Sequence, residues 1–161
     1  MRQRWSKRGP IAILLVSMLL VALTAGAALA ANISGTAGVD LIGAGPYKGT
    51  SLSGDDEIRA LAGNDRVDAF TGNDKIFGGD GDDELLGAEG NDNVKGENGD
   101  DTIDLAVFDT PNALDKGYGG DGDDVFTAED GNKDLINCGL GDDTVLSFDK
   151  GLDVVSASCE G

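Results

Sequence analysis

Gly78-Gly79-Asp80-Gly81-Asp82-Asp83-Glu84-Leu85-Leu86 is the stretch that decides the fold. Working outward from it, Asp83 is one of a series, Asp56, Asp65, Asp74, Asp83, Asp92 and Asp101, spaced nine apart. Two residues before each stands a glycine: Gly54, Gly63, Gly72, Gly81, Gly90 and Gly99. Two residues after each stands an aliphatic side chain: Ile58, Val67, Ile76, Leu85, Val94 and Ile103. Only Asp or Asn lies between the glycine and the aspartate. The unit is therefore Gly-(Asp/Asn)-Asp-x-aliphatic, and it holds register through six copies. A fixed short period of this kind marks a stacked repeat, not acidic low complexity.

Each position has a physical task. Glycine admits positive φ without a Cβ clash, so it permits a tight turn and close backbone approach. Asp and Asn tolerate turn geometry and present oxygen. A single aliphatic residue between polar neighbours, as in Glu57-Ile58-Arg59, reads as a three-residue strand with one side chain inward. Such a strand is stable only when copies share one apolar column. Two units complete a coil of eighteen residues, so Asp56, Asp74 and Asp92 line one edge and Asp65, Asp83 and Asp101 the other. The same stacking sets Glu57 over Lys75 and Arg66 over Glu84, and it points Phe77 and Leu86 outward.

Stacked carboxylates repel unless a cation joins them. Carboxylates and turn carbonyls together supply the six to eight oxygens that Ca²⁺ takes; Mg²⁺ demands stricter geometry. Transition metals prefer N or S ligands, and the chain has no His. The expected cofactor is thus several Ca²⁺ ions.

Composition agrees. The 161 residues carry 30 Asp+Glu against 12 Lys+Arg, a net charge of −18. That excludes nucleic acid as the expected partner, since a phosphate backbone needs clustered Lys and Arg. Without His, His-based triads and His-bearing zinc sites are excluded. An EF-hand fails because Leu85 stands where the loop glycine belongs in the frame starting at Asp80. A narrow roll offers no evident substrate cleft, so no catalytic residue is assigned and no enzyme is expected. The outward positions carry mixed charges and few Thr, which argues against an ice-binding array.

Residues 1–30 read as a general-export signal peptide: Arg2, Arg4, Lys7 and Arg8, an apolar run from Ile11 to Leu23, and Ala28-Leu29-Ala30 as the cleavage pattern. Removing those four basic residues from the 12 Lys+Arg leaves 8 against 30 Asp+Glu, a net charge of −22. The expected location is secreted or extracellular, with no membrane contact after cleavage. An uncleaved signal anchor is the alternative.

These residues resemble the hemolysin-type calcium-binding repeats of RTX proteins, GGxGxDxUx. Residues 78–86 match every position, and Gly119-Gly120-Asp121-Gly122-Asp123-Asp124-Val125-Phe126 matches again. The resemblance implies an all-β fold, a right-handed parallel β-roll (a β-solenoid) with calcium ions between turns, and a bacterial source. It carries the metal-ligand role to Asp56, Asp65, Asp74, Asp83, Asp92 and Asp101, and to Asp124, Asp134 and Asp143 in the later copies. Turn backbone ligands would come from Gly54, Gly63, Gly72, Gly78, Gly81, Gly90, Gly99, Gly119, Gly122 and Gly141. Ala60-Leu61 and Ala69-Phe70 replace the first two glycines of their copies, which strains the positive-φ position.

The expected organisation after the signal is a degenerate N-terminal repeat or cap over 31–50, the β-roll over 51–104, an insertion loop over 105–118 and irregular repeats over 119–161. Asp40 belongs to the degenerate copy, and Gly45-Pro46-Tyr47 loops out. Cys138 and Cys159 read first as an intramolecular disulfide capping the roll; an intermolecular bond or two free thiols are the alternatives. The functional expectation is an exported protein that binds several Ca²⁺ ions and folds on binding. The alternative is a calcium-stabilised surface structural or adhesion protein with a protein or glycan partner.

Overall fold

The computed structural model describes residues 32–43, 52–107 and 109–159. Residues 1–30, read as a signal peptide, and Gly45-Pro46-Tyr47, expected to loop out, lie outside the described residues.

Among the described residues every strand pairs in parallel, in two facing sheets. The seven-stranded sheet runs β1 (Asn32–Ser34), β3 (Glu57–Ala62), β5 (Lys75–Asp80), β7 (Asn93–Asn98), β9 (Lys116–Asp121), β11 (Leu135–Leu140) and β13 (Val154–Val155). The six-stranded sheet runs β2 (Leu41–Ile42), β4 (Arg66–Asp68), β6 (Glu84–Leu86), β8 (Thr102–Asp104), β10 (Val125–Ala128) and β12 (Thr144–Phe148). Successive strands alternate between sheets, so the chain winds as a parallel β-roll.

The register follows the eighteen-residue coil. Ile58 pairs with Ile76 and Ile76 with Val94; across the roll Val67 pairs with Leu85 and Leu85 with Ile103. These side chains are fully buried and form the core with Phe126, Leu105 and Ile136. A narrow two-column core explains how so acidic a chain builds an interior. At about 25 cal/mol per Å² of apolar surface buried, a column one side chain wide contributes little per coil. Backbone pairing and turn chemistry must supply the rest.

β3, β5, β7, β9 and β11 run six residues, longer than the expected three, because pairing continues into the turn, as in Leu61 with Gly79 and Ala62 with Asp80. The stretch 105–118 also differs from a looped-out insertion. β9 begins at Lys116, and Asp115 and Asp124 sit one coil above Asp92 and Asp101, at separations of 23 residues. The coil therefore carries 23 residues in place of 18, and the excess lies between Leu105 and Asp115. The inward position of this coil is Gly117, where a Cβ would meet Phe126 Cε1 at 3.0 Å and Leu105 Cδ1 at 3.1 Å. The large Phe126 ring thus fills space that the missing side chain leaves.

Of the two expected outward pairs, Arg66 and Glu84 form an ion pair. Glu57 is in register with Lys75 but pairs with Arg59 of its own strand. Cys138 and Cys159 form a disulfide across 21 residues, fixing the C-terminal segment against the last coil.

Candidate metal centre

The turns connecting the sheets place one aspartate immediately before each strand from β2 to β13. On one edge the order is Asp40, Asp65, Asp83, Asp101, Asp124 and Asp143; on the other it is Asp56, Asp74, Asp92, Asp115, Asp134 and Asp153. Each column is a hydrogen-bonded ladder. The backbone N–H of Asp65 donates to Asp83 Oδ1 at 2.8 Å, Asp83 to Asp101 at 2.8 Å, and Asp124 to Asp143 at 3.0 Å. On the other edge Asp74 donates to Asp92 at 2.8 Å, Asp92 to Asp115 at 2.7 Å and Asp115 to Asp134 at 2.9 Å. All nine aspartates that the repeat assigns to metal therefore stand in the two ladders.

From Asp65 to Asp153, each of these carboxylates has its Oδ1 committed to the ladder. The other is different. The Oδ2 atoms of Asp65, Asp74, Asp83, Asp92, Asp101, Asp115, Asp124, Asp134 and Asp143 are buried without a hydrogen-bond partner. A buried acceptor left unmade costs about 1–3 kcal/mol, more when charged. Repeating that cost at these nine carboxylates calls for a positive group beside their Oδ2 atoms. Among the described residues no three Asp, Glu or Cys side chains converge into a closed cage. A cation here would accordingly join ladder carboxylates to turn carbonyls, the oxygen-only donor set that suits Ca²⁺.

The electrostatics carry the same message. Burial raises Asp74, Asp83 and Asp124 to about 6, Asp92, Asp101 and Asp134 to about 7, and Asp115 to about 8. The accepted backbone N–H opposes the shift, and neighbouring aspartates add to it. Burial also raises Asp65. Desolvation and like charge both disfavour the bare carboxylate.

The glycines shape the turn around these oxygens. Gly54, Gly63, Gly72, Gly81, Gly90, Gly99, Gly122 and Gly141 all have positive φ. They stack, so that a Cβ on Gly90 would run into the Gly72 carbonyl and one on Gly72 into that of Gly54. Gly78 and Gly119 instead lie against the Oδ2 of Asp83 and Asp124 in their own turns. Leu61 and Phe70 take positive φ at 86° and 67°, the strain expected where glycine is replaced; Ala88 and Glu97 share it at 69° and 83°.

A second ladder of Asp and Asn runs outside the first. Asn73 donates its backbone N–H to Asp55 Oδ1 and Asn91 donates to Asn73; on the opposite edge Asp100 donates to Asp82 and Asp123 to Asp100. The Asp82 edge opens on a groove of about 830 Å³ whose lining includes Asp65, Asp83, Asp100 and Arg66.

Sequence reasoning missed Asp115. It lacks the preceding glycine and the following aliphatic residue, yet it stands nine before Asp124, which was the available signal. Also missed were Asp109, Asp130 and Asp149, which enter the irregular turns of the same edge. Asn132 Nδ2 donates to Asp109 Oδ2 at 3.0 Å and to Asp130 Oδ2 at 2.8 Å, while Asp149 Oδ2 accepts from Asp130 and Gly131.

A parallel roll with a carboxylate ladder on each edge defines a class, the repeat proteins whose turns are built for calcium. A family model for the RTX calcium-binding nonapeptide repeat matches residues 50–85, 77–107 and 115–145, and the chain belongs to that hemolysin-type family. The unmatched residues 108–114 fall within the enlarged coil. No curated protein and no solved structure matches the chain.

Proposed function

We propose that this is an exported calcium-binding β-roll whose folding is coupled to Ca²⁺ binding. The observation that carries the reading is the run of buried, unpartnered Asp Oδ2 atoms from Asp65 to Asp143, on both edges. Bound Ca²⁺ supplies positive charge to those oxygens, and its binding free energy becomes folding free energy. The chain's own part is to hold Oδ1 in the backbone ladder, so that Oδ2 is aimed and pre-organised. Before binding, a chain of −22 beyond residue 30 is expanded by its own repulsion.

Export rests on residues 1–30, whose charged start, apolar run and Ala-x-Ala site read as a general-export signal. Extracellular calcium modules bind in the range of about 10⁻⁴–10⁻³ M. Folding is then delayed until the chain meets calcium outside the cell. No catalytic role is proposed, because the chemistry these carboxylate ladders offer is cation binding. The second reading, a surface or adhesion protein in which calcium only stabilises the fold, is favoured by the cation-bearing sheet face described below.

Circular dichroism of the purified protein in Ca²⁺, Mg²⁺ and EDTA tests the proposal. β-structure should rise with Ca²⁺, little with Mg²⁺, and fall on chelation. A β signal untouched by EDTA sinks coupled folding.

A further inference from the structure

The charges of this acidic chain are sorted between its two faces. Outward positions of the seven-stranded sheet form two straight rows in strand register: Glu57, Lys75, Asn93, Lys116 and Leu135, then Arg59, Phe77, Lys95, Tyr118 and Asn137. Four of the eight Lys and Arg beyond residue 30 stand in these two rows, Arg59, Lys75, Lys95 and Lys116, against one acid there, Glu57, which pairs with Arg59; a second acid, Glu97, lies at the margin in register with Gly79 and Gly120. The outward positions of the opposite sheet reverse the balance: Arg66 stands among Asp68, Glu84 and Asp104.

The second row alternates cation and ring. The Arg59 guanidinium lies 5.0 Å from the Phe77 centroid, and Lys95 Nζ lies 5.4 Å from Phe77 and 5.7 Å from Tyr118. Contacts at this distance hold long side chains flat on the sheet, which lowers the entropy lost on binding. Strands lie about 4.7–4.9 Å apart, so like groups recur roughly every 10 Å along the row. A hollow of about 230 Å³ lined by Arg59, Leu61, Phe77, Gly78, Gly79 and Glu97 opens at its margin.

We infer that this face is a binding surface for a linear acidic polysaccharide. The cations meet its carboxylate or sulfate groups. Phe77 and Tyr118 offer flat apolar surface to sugar rings, and the exposed Asn137 offers an amide to hydroxyls. Charge complementarity is local: a polyanion is repelled by the rest of the molecule and admitted only along this row.

The test is affinity electrophoresis of the purified protein in saturating Ca²⁺ through gels holding hyaluronate, dextran sulfate or neutral dextran. Circular dichroism reads folding separately, so a folding failure and a binding failure are distinct. Retardation by hyaluronate shows that carboxylate suffices, and retardation by dextran sulfate alone assigns sulfate; neutral dextran should not retard. Lys75→Gln/Lys95→Gln should weaken binding roughly tenfold with the β signal unchanged. Phe77→Ala/Tyr118→Ala tests the rings; if that variant loses β-structure, Phe77→Leu replaces it. Undiminished retardation of the Lys75→Gln/Lys95→Gln variant would mean bridging by calcium at the acidic turns and overturns the proposal. Equal or tighter binding to poly-glutamate or to phosphatidylglycerol vesicles overturns it too.

Discussion

Asp92 Oδ1 accepts the backbone N–H of Asp74, one coil away, at 2.8 Å, while Asp92 Oδ2 is buried without a partner. One carboxylate thus divides its oxygens between holding the roll together and waiting for charge. Asp92→Asn keeps an acceptor for the ladder but removes the charge. The calcium midpoint of folding should rise about tenfold or more, as a charge-assisted bond is worth roughly 1.5–3 kcal/mol. In EDTA the same variant should be no less stable than the parent. A calcium titration followed by circular dichroism reads both, and an unchanged midpoint would remove Asp92 from the metal centre.

The two edges are separate columns. Asp83 and Asp101 stand on one, Asp74, Asp92 and Asp115 on the other. Asp83→Asn/Asp101→Asn should lower the calcium stoichiometry seen by titration calorimetry and leave sites on the Asp92 edge. Equal loss from both edges would argue against independent ladders.

Acid should replace calcium in part. Asp74, Asp83, Asp92, Asp101, Asp115, Asp124 and Asp134 rise from an ordinary 3.8 to about 6–8 in the fold, chiefly through burial. A group raised on folding contributes stability that is complete below its unfolded value and lost as pH climbs through its folded value. In EDTA, β-structure should therefore increase as pH falls from 8 toward 4, while in saturating Ca²⁺ it should stay level over that window. A signal independent of pH in EDTA would contradict this electrostatic account.

The glycine stack is tight. Gly90 has φ 137° and a Cβ there would strike the Gly72 carbonyl, whereas nothing lies within 4 Å of a Cβ on Gly38. Gly90→Ala should cost more than about 2 kcal/mol from backbone strain and overlap. Gly38→Ala should stay within about 0.5 kcal/mol. Urea unfolding in saturating Ca²⁺ compares them; similar midpoints would show that the stack yields easily.

The disulfide closes the end of the roll. Cys138→Ala/Cys159→Ala should cost about 3 kcal/mol in the chain-entropy model for a loop of this length. The loss should appear as a lower thermal midpoint in Ca²⁺, matched by reduction of the parent protein. No shift in either experiment would mean that the last coil is held by packing alone.

Most of the ladder was legible because it rests on local periodicity. Asp56 to Asp101 recur at nine, strands alternate faces at two, and stacking follows from both. Legibility ended where a coil changed length. Asp115 has neither glycine before it nor an aliphatic residue after it, so the stretch 105–118 read as loop, although backbone pairing carries Lys116 into β9.

By itself the sequence determined a repeat of nine, oxygen-only ligands in acidic turns, and hence a hard cation as their counterpart. Those conclusions need only spacing and side-chain chemistry. Only the tertiary structure decided that Asp115 joins Asp92 and Asp134, that Oδ1 is spent on the ladder while Oδ2 is left buried, and that Arg59, Lys75, Lys95 and Lys116 share one face. The reason is that these depend on which coil lies beside which. A coil of 23 residues pairs as well as one of 18 when its excess can bulge out of the turn, and no local pattern announces where that happens.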